Sequence, residues 1–273
     1  MLSNAEKKRL RDNYGPWGLV TGASSGIGGE LAERLAEAGL NLVLNARRAE
    51  LLAQIAADLI SKYGVEIRVV AADLSVPEGV EQVIQATEDV NVGLLVASAG
   101  YGTSGLFVES KLETEINMLR VNCEALLTLT HHYSRLFAKN KRGGIILMSS
   151  IVAFQGVPYA AHYAATKAYV QSLAEALAIE LRPHGVDVLA PAPAPVKSGF
   201  ETRANMKLDL ALTPEQIGVP ILKALGKKSA VLPGFLSKFL INSLRTVPRW
   251  AKVRIMKIVM GGITKHQRGG EHA

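Results

Sequence analysis

Three residues near the middle of the chain, Ser150, Tyr163 and Lys167, have types and a spacing suited to proton transfer. Tyr163 and Lys167 are four residues apart in a segment with helical character, so they would lie on one face of a helix. A free tyrosine has a pKa of about 10, and a nearby cation favours the phenolate and is expected to lower that pKa toward neutrality. Ser150 could donate a hydrogen bond to the oxygen that receives the proton. The alternative is a half-buried tyrosine beside a snorkelling lysine, since Tyr-x-x-x-Lys is common by chance.

Apolar, β-branched runs alternate with helical patterns along the chain, which is typical of β-α-β units and a parallel sheet. The sequence therefore predicts one α/β domain over residues 17–232, a doubly wound parallel sheet of about seven strands with helices on both faces. Strands are predicted at 17–21, 41–45, 66–71, 92–97, 144–149, 186–190 and 230–232, and helices at 27–38, 48–62, 77–88, 112–138, 160–182 and 214–225. Ligands bind beyond the carboxyl ends of the strands in such sheets, and Ser150 follows the fifth strand.

The turn after the first strand is rich in glycine and reads Thr21-Gly22-Ala23-Ser24-Ser25-Gly26-Ile27-Gly28. Glycines let the backbone turn sharply and approach a pyrophosphate, whose charge is met by the N-terminus of the following helix. A simple strand-to-helix turn is the alternative, but the position after the first strand favours nucleotide binding. The spacing differs from G-x-G-x-x-G and from a P-loop.

Together with this loop, four further features resemble the short-chain dehydrogenase/reductase family over about residues 17–198: Asp73-Leu74, Asn122, Ser150 and Tyr163-x-x-x-Lys167. The resemblance implies an NAD- or NADP-dependent oxidoreductase that moves hydride between a nicotinamide and a carbonyl or alcohol carbon. It implies that Tyr163 is the acid in reduction and the base in oxidation. Lys167 would lower the tyrosine pKa and bind the nicotinamide ribose, Ser150 would orient the substrate oxygen, and Asn122 would support a water relay.

The resemblance also implies a set of cofactor-binding residues along the carboxyl ends of the strands. They are Gly22, Ser24, Ser25, Gly26, Ile27, Gly28, Arg47, Arg48, Asp73, Leu74, Ser98, Ala99, Gly100, Tyr163, Lys167, Val196 and Ser198. Asp73 would bind the adenine amino group, although it could equally cap the helix that begins at Pro77. No metal site is predicted.

The end of the second strand favours NADP over NAD. NAD-selective sites place a carboxylate there for the ribose 2′-hydroxyl, and a carboxylate would repel the 2′-phosphate of NADP. The residues are Asn45-Ala46-Arg47-Arg48, with no acid before Glu50. Arg47 is expected to bind the 2′-phosphate with help from Arg48. Two solvated arginines are the alternative, but cations at a helix start oppose its dipole.

Two segments depart from the family pattern. Ala97-Ser98-Ala99-Gly100 replaces the usual Asn-Asn-Ala-Gly, which is expected to reduce the side-chain hydrogen bonds of this turn. Residues 193–198, Pro-Ala-Pro-Val-Lys-Ser, replace the usual Pro-Gly followed by Val-x-Thr. Alanine tolerates positive φ poorly and prolines stiffen a segment, so contacts from this loop to the nicotinamide amide are expected to change.

The basic charge is concentrated at the C-terminus. From Lys227 onward the chain has ten Lys or Arg and one acid, Glu271, whereas the preceding 226 residues have 21 basic and 23 acidic side chains. The extension 233–273 mixes these cations with apolar residues. It is interpreted as a lid over the pocket or a subunit interface, and the alternative is weak contact of residues 233–268 with an anionic membrane. Nucleic-acid binding is not predicted, since no reading motif accompanies the charge.

The remaining expectations concern the substrate, the assembly and the location of the protein. The substrate is expected to be a hydrophobic ketone, aldehyde or secondary alcohol, because the predicted pocket walls at 101–107, 154–159 and 200–210 are mostly apolar. A non-catalytic protein that senses NADP or binds a membrane surface is the alternative function. The family resemblance implies a homodimer or homotetramer. One cysteine and no secretory signal favour the cytoplasm, with the periphery of a membrane as an alternative, and residues 1–16 are a short charged helix or a frayed arm.

Overall fold

Strands and helices alternate along the chain in the computed structural model, which describes residues 1–207 and 210–267. The strands are β1 (Trp17–Thr21), β2 (Asn41–Ala46), β3 (Ile67–Ala71), β4 (Val92–Ala97), β5 (Gly143–Leu147), β6 (Val186–Pro191) and β7 (Ala230–Val231). The helices are α1 (Asn4–Tyr14), α2 (Gly26–Glu37), α3 (Ala49–Tyr63), α4 (Pro77–Gln85), α5 (Leu112–Leu119), α6 (Leu126–Asn140), α7 (Ala161–Glu180), α8 (Phe200–Arg203), α9 (Pro214–Ala224), α10 (Gly234–Ser243) and α11 (Arg249–Ile263).

Within these residues the strands form one parallel sheet of seven, in the order β3-β2-β1-β4-β5-β6-β7. The chain moves outward from β1 to β3 and then crosses to β4 on the other side of β1. The predicted doubly wound sheet is confirmed. The strand order reverses at β1, and this opens a crevice beyond the carboxyl ends of β1 and β4, where such folds bind ligands.

The two faces of the sheet pack against different sets of helices. Neighbouring side chains on a strand point to opposite faces, and accordingly Leu19 and Val20 of β1 belong to different buried clusters. The cluster around Val20 includes side chains of α1, α2, α3 and α9, and the cluster around Leu19 includes side chains of α4, α6 and α7. Nearly continuous apolar strands of this kind are expected where both faces are covered.

The predicted helix at 112–138 contains a π-helical segment, Arg120–Ala125, between α5 and α6. A π turn changes the direction in which side chains point relative to an uninterrupted α-helix, and such turns often occur at functional sites. Asn122 lies within it and is buried. The irregularity therefore helps to set the orientation of a predicted site residue.

The N-terminal segment forms a helix that packs on the core. Ser3 accepts a hydrogen bond from the Glu6 backbone N–H at 3.3 Å and so caps α1. Leu10 and Tyr14 are buried, and the Tyr14 hydroxyl donates to Asp187 of β6 at 2.7 Å. Of the two forms considered for this segment, the structure has the helix.

The C-terminal extension contributes α10 and α11, whose bounds were not predicted from the sequence. The predicted extension runs to residue 273, and its last six residues lie outside the described part of the chain. Among the helices described, none is both long enough and apolar enough to cross a bilayer.

Candidate active site

The turn after β1 brings backbone atoms unusually close together in front of α2. Gly22 has φ 67°, in the left-handed region that favours glycine. A Cβ atom on Gly28 would lie 2.4 Å from the Gly22 carbonyl oxygen, so the helix can approach this closely only with glycine there. The first turn of α2 has no acid, and the Ser25 side chain makes no capping hydrogen bond. A pyrophosphate fits this helix N-terminus.

No carboxylate ends β2 in this structure, and two guanidinium groups lie beside the glycine-rich turn instead. The Asn45 side chain is buried and donates to two backbone carbonyl oxygens of the β3 segment, at 3.0 and 3.2 Å. Arg47 and Arg48 are exposed at the rim of the cavity, and Arg48 donates to the Ser24 hydroxyl at 3.1 Å. This donor set suits a phosphate group better than a ribose hydroxyl.

Asp73 and Leu74 follow β3 and line the same cavity. Asp73 accepts a hydrogen bond from the Ser75 backbone N–H at 2.9 Å. The N-cap position of α4 is Val76, so Asp73 orders the preceding turn and does not cap α4. Adenine binding by Asp73 stays a prediction.

The turn after β4 is tied down by Thr21. Its hydroxyl oxygen accepts hydrogen bonds from the backbone N–H groups of Ser98 and Ala99, both at 3.1 Å. The expected loss of side-chain hydrogen bonds from this turn is therefore offset by a side chain from the neighbouring strand.

Asn122 lies behind this turn and does not line the cavity. Its Oδ1 accepts from the Tyr101 N–H at 3.1 Å, and its Nδ2 donates to the Tyr101 carbonyl at 2.9 Å and to the Thr166 hydroxyl at 3.1 Å. A Cβ atom on Gly100 would lie 2.9 Å from Asn122 Oδ1 and 3.6 Å from Lys167 Nζ. These contacts give Asn122 a positioning role, whereas the water relay stays a prediction.

Ser150, Tyr163 and Lys167 line one cavity together with the glycine-rich turn. Ser150 lies at the start of a short 3-10 helix after β5, and α7 carries the other two residues. Lys167 is only 6% exposed, its Nζ donates to the Met148 carbonyl at 2.8 Å, and it lies 5.9 Å from the centre of the Tyr163 ring. The predicted pairing on one helix face is present.

Burial, not the neighbouring amine, determines the direction of the tyrosine pKa. Burial raises the pKa of Tyr163 to about 12, and a side-chain hydrogen bond with Ser150 acts in the opposite direction. Burial lowers the pKa of Lys167 to about 8, because the charged amine is removed from water. The tyrosine pKa is therefore not brought toward neutrality as predicted, because burial outweighs the effect of the neighbouring amine. A tyrosine that stays protonated at neutral pH suits a proton donor.

The loop after β6 is held by the C-terminal extension. The Ala194 N–H donates to the hydroxyl of Ser237 at 2.8 Å, and that buried serine in turn donates to the Pro233 carbonyl at 2.5 Å. Val196 pairs with Leu212 as a parallel bridge. The departure from the family pattern at residues 193–198 thus coincides with an anchor from α10.

The cavity has a volume of about 560 Å³ and ends in an apolar region. Phe200 forms part of it, with its ring 5.2 Å from the ring of Tyr163, centre to centre. Two further walls come from α10 and α11, as the lid interpretation predicts. The lining residues from these helices, together with Leu244, which follows α10, are Leu240, Ile241, Ser243, Ile255, Met256, Val259, Met260 and Ile263.

Apart from Asn122, every residue expected to act in catalysis or cofactor binding lines this cavity. The predicted walls of the substrate pocket are confirmed in part. Tyr101, Phe200 and Met206 line it, whereas Phe107 and Tyr159 line a separate cavity of about 170 Å³. Residues 208–209 of the predicted wall at 200–210 lie outside the described residues. The Met148 carbonyl and the individual residues of α10 and α11 could not be predicted from the sequence, because only tertiary packing brings them to the site.

The model of the short chain dehydrogenase family matches residues 17–209. The chain belongs to the short-chain dehydrogenase family. A 7beta-hydroxysteroid dehydrogenase of Collinsella aerofaciens is 36% identical over 238 residues, which cover 84% of this short-chain dehydrogenase and 90% of the relative. This family membership makes the protein an NAD(P)-dependent oxidoreductase acting on CH–OH groups, and the glycine-rich turn and basic rim fit such a cofactor.

Two solved structures resemble this short-chain dehydrogenase over almost its whole length. A 7beta-hydroxysteroid dehydrogenase structure has a TM-score of 0.84 and 32% identity, and covers 90% of this chain and 98% of its own. A short-chain dehydrogenase from Sphingobium yanoikuyae in complex with NADPH has a TM-score of 0.76 and 30% identity, and covers 94% of this chain and 98% of its own. The similarity thus extends beyond the family model into the C-terminal extension.

Proposed function

We propose that this short-chain dehydrogenase reduces a bulky, apolar ketone or aldehyde with NADPH. The observation that carries the proposal is the position of the buried pair Tyr163 and Lys167 in a cavity that is basic at one end and apolar at the other. A volume of about 560 Å³ lies within the range of about 300–1,000 Å³ common for small-molecule sites. The relative named a 7beta-hydroxysteroid dehydrogenase supports a bulky substrate.

The side chains divide the proton chemistry between them. NADPH, when bound, supplies the hydride that adds to the carbonyl carbon. Tyr163 donates its proton to the carbonyl oxygen and becomes a phenolate, and the Lys167 ammonium stabilises that negative charge. Ser150 donates a hydrogen bond to the same oxygen. The alcohol leaves, and the phenolate regains a proton from solvent.

A non-catalytic protein that only senses NADP explains the site less well. Burying the Lys167 amine lowers its pKa to about 8, which shows that the site disfavours the charged form. A protein that only binds a nucleotide could use the amine to bind the nicotinamide ribose but has no use for a buried phenol beside it, whereas a proton donor that becomes a phenolate needs a cation close by.

We expect NADPH to be oxidised in the presence of apolar ketones and aldehydes, and NADH to be oxidised more slowly. Loss of NADPH absorbance measured against a panel from small aldehydes to fused-ring ketones checks this. The ratio kcat/KM should rise with the size of the apolar part of the substrate, because larger substrates bury more of the apolar walls of the cavity. A panel on which no compound is turned over would contradict the proposal, provided that direct titration shows NADPH to be bound.

Replacing Arg47 with alanine is expected to raise the Kd of NADPH roughly tenfold and to leave that of NADH within about twofold. A charge-assisted hydrogen bond to a phosphate contributes about 1.5–3 kcal/mol, and NADH lacks the 2′-phosphate. Quenching of protein fluorescence on titration gives both constants. Lys62→Ala, a change at an exposed lysine paired with Glu33 on the surface, is the matched control. Equal weakening of both cofactors would assign Arg47 another role.

The assembly and the compartment belong to the same proposal. Exposed apolar side chains on the helices that follow β4 and β5 include Leu112, Leu119 and Ile179, at 65%, 45% and 70% exposure. Their exposure in a single chain supports assembly into a homodimer or homotetramer, in which they would be buried between subunits.

The cysteine content of the chain bears on its compartment. The one cysteine, Cys123, is buried and free, which supports a reducing compartment such as the cytoplasm.

A further inference from the structure

The outer sides of α10 and α11 expose large apolar side chains. Phe235, Phe239, Trp250 and Ile258 are 81%, 56%, 62% and 77% exposed. The two phenylalanines stack at 6.1 Å between ring centres, one helical turn apart. Trp250 and Ile258 are two turns apart and so lie on one side of α11. Exposed aromatic groups of this size mark an interaction surface more often than a solvated one.

The same two helices and the segments next to them carry only positive charge. The sequence has no acid between Glu215 and Glu271. Exposed cations in this region are Lys238, Arg245, Arg249, Arg254, Lys257 and Lys265. Among the residues that the structure describes, none of these six has a carboxylate within ion-pair distance. Arg254 instead lies over the Trp250 ring, 5.0 Å from its centre. We call the four apolar residues and these six cations the basic aromatic face.

The basic aromatic face is not used to pack the interior of the protein. The opposite side of α11 carries Met256, Met260 and Ile263, which pack with Val157 and Ala164 beside the cavity. The apolar residues of α11 are scattered around the helix in the sequence because the helix has two apolar sides. One side closes the substrate cavity, and the other is exposed together with cations.

We propose that the basic aromatic face docks on an anionic lipid bilayer. Cations that meet lipid phosphates beside Trp and Phe side chains that enter the acyl boundary are the features of an interfacial helix. A second copy of this face is a poorer partner, because self-pairing would bring together two sets of cations with no acid between them. The exposed apolar groups favour a bilayer over a partner that offers charge alone.

Docking would bring the substrate cavity close to the lipid. The inner sides of the same helices line that cavity, so the two surfaces are separated by about one helix diameter, roughly 10 Å. An apolar carbonyl compound dissolved in the bilayer would then have a short path to Tyr163. This consequence rests on the proposed function, whereas docking itself does not depend on turnover.

Flotation with lipid vesicles tests the docking without any substrate. We expect the protein to bind vesicles of phosphatidylcholine mixed with phosphatidylglycerol, to bind phosphatidylcholine alone weakly, and to lose binding as salt screens the charges. The triple variant Lys238→Gln, Arg254→Gln, Lys257→Gln should bind the anionic vesicles roughly a hundredfold more weakly, at about fivefold per cation. The matched control is Lys111→Gln, Arg135→Gln, Lys139→Gln, which removes the same charge from exposed residues elsewhere and should bind normally.

The apolar contribution is tested separately. The double variant Phe235→Ser with Trp250→Ser should bind anionic vesicles at least tenfold more weakly. Its tryptophan fluorescence should show little or no blue shift on binding. The control pair is Phe107→Ser with Val108→Ser, whose parent side chains are 61% and 89% exposed. Circular dichroism establishes that each variant is folded. Absence of vesicle binding by the unmodified protein, or equal loss in test and control variants, would overturn the proposal. So would a dimer that dissociates when Phe235 and Trp250 are replaced, since the face would then be a subunit contact.

Discussion

Replacing Tyr163 with phenylalanine is expected to reduce kcat for ketone reduction by about 10²–10⁴-fold, the contribution typical of a positioned general acid. The hydroxyl would be lost, but the ring would keep its position. It packs against the Phe200 ring at 5.2 Å between centres, and it lies so close to Gly102 that a Cβ atom there would be 3.0 Å from Tyr163 Cδ2. NADPH binding should change little. Kinetics with NADPH and an apolar ketone, together with a direct titration of NADPH, separate the two effects.

A second tyrosine on the same helix provides the control. Tyr169 lies six residues further along α7, is 38% exposed and does not line the cavity. Tyr169→Phe should therefore retain the rate of the unmodified enzyme. Turnover by Tyr163→Phe at an undiminished rate would remove the proton donor from the mechanism, even if NADPH still bound tightly.

The strands could be predicted because each is a continuous apolar run bounded by turn residues. Trp17–Thr21 and Val92–Ala97 agree with the predicted bounds, since burial on both faces keeps all but one of their residues, Thr21, apolar or glycine. The π turn at Arg120–Ala125 could not be predicted in the same way. Its apolar spacing resembles that of the α-helices on either side, and the shift in hydrogen bonding becomes visible only in the backbone.

Site residues on the loops after strands could be placed because parallel strands end at one edge of the sheet. Gly22, Arg47, Asp73 and Ser150 meet there although they are far apart in sequence. The direction of the Tyr163 pKa could not be inferred from residue type and spacing. It depends on how completely the surrounding residues exclude water, and α10 and α11 contribute to that enclosure from the far end of the chain.

Replacing Lys167 with methionine is expected to reduce kcat for reduction roughly a hundredfold. At 5.9 Å from the tyrosine ring and an effective dielectric constant of about 20, a unit charge stabilises a phenolate by about 3 kcal/mol. The rate of the unmodified enzyme should also fall as the pH rises through about 8, where Lys167 loses its proton. The methionine variant should lack that step. A pH profile of kcat for both proteins checks the assignment, with the exposed Lys223→Met as control.

The same substitution is expected to stabilise the fold at neutral pH. Burial lowers the Lys167 pKa from 10.5 to about 8, which corresponds to a cost of about 3 kcal/mol for holding the charge in the folded protein. Removing the charge therefore stabilises the fold, but loss of the hydrogen bond to the Met148 carbonyl offsets about 1 kcal/mol of that stabilisation. The variant should therefore be more stable by about 2 kcal/mol at pH 7.

The difference in stability between the two proteins should depend on pH in a defined direction. Between about pH 8 and 10.5 the unfolded chain holds the lysine proton and the folded chain does not, so the unfolding free energy of the unmodified protein rises relative to the variant. The free-energy cost of burying the charged Lys167 amine is present in full below about pH 8 and has disappeared near pH 10.5. The unfolded-state titrations of Tyr163 and Cys123 are common to both proteins and cancel. Lys167 alters only their folded-state titrations, whose pKa values burial raises to about 12 and about 11, above this pH range. Urea denaturation at several pH values measures the difference in unfolding free energy. A difference that stays constant over this range would mean that Lys167 is not desolvated, and the electrostatic account of its effect on Tyr163 would fail with it.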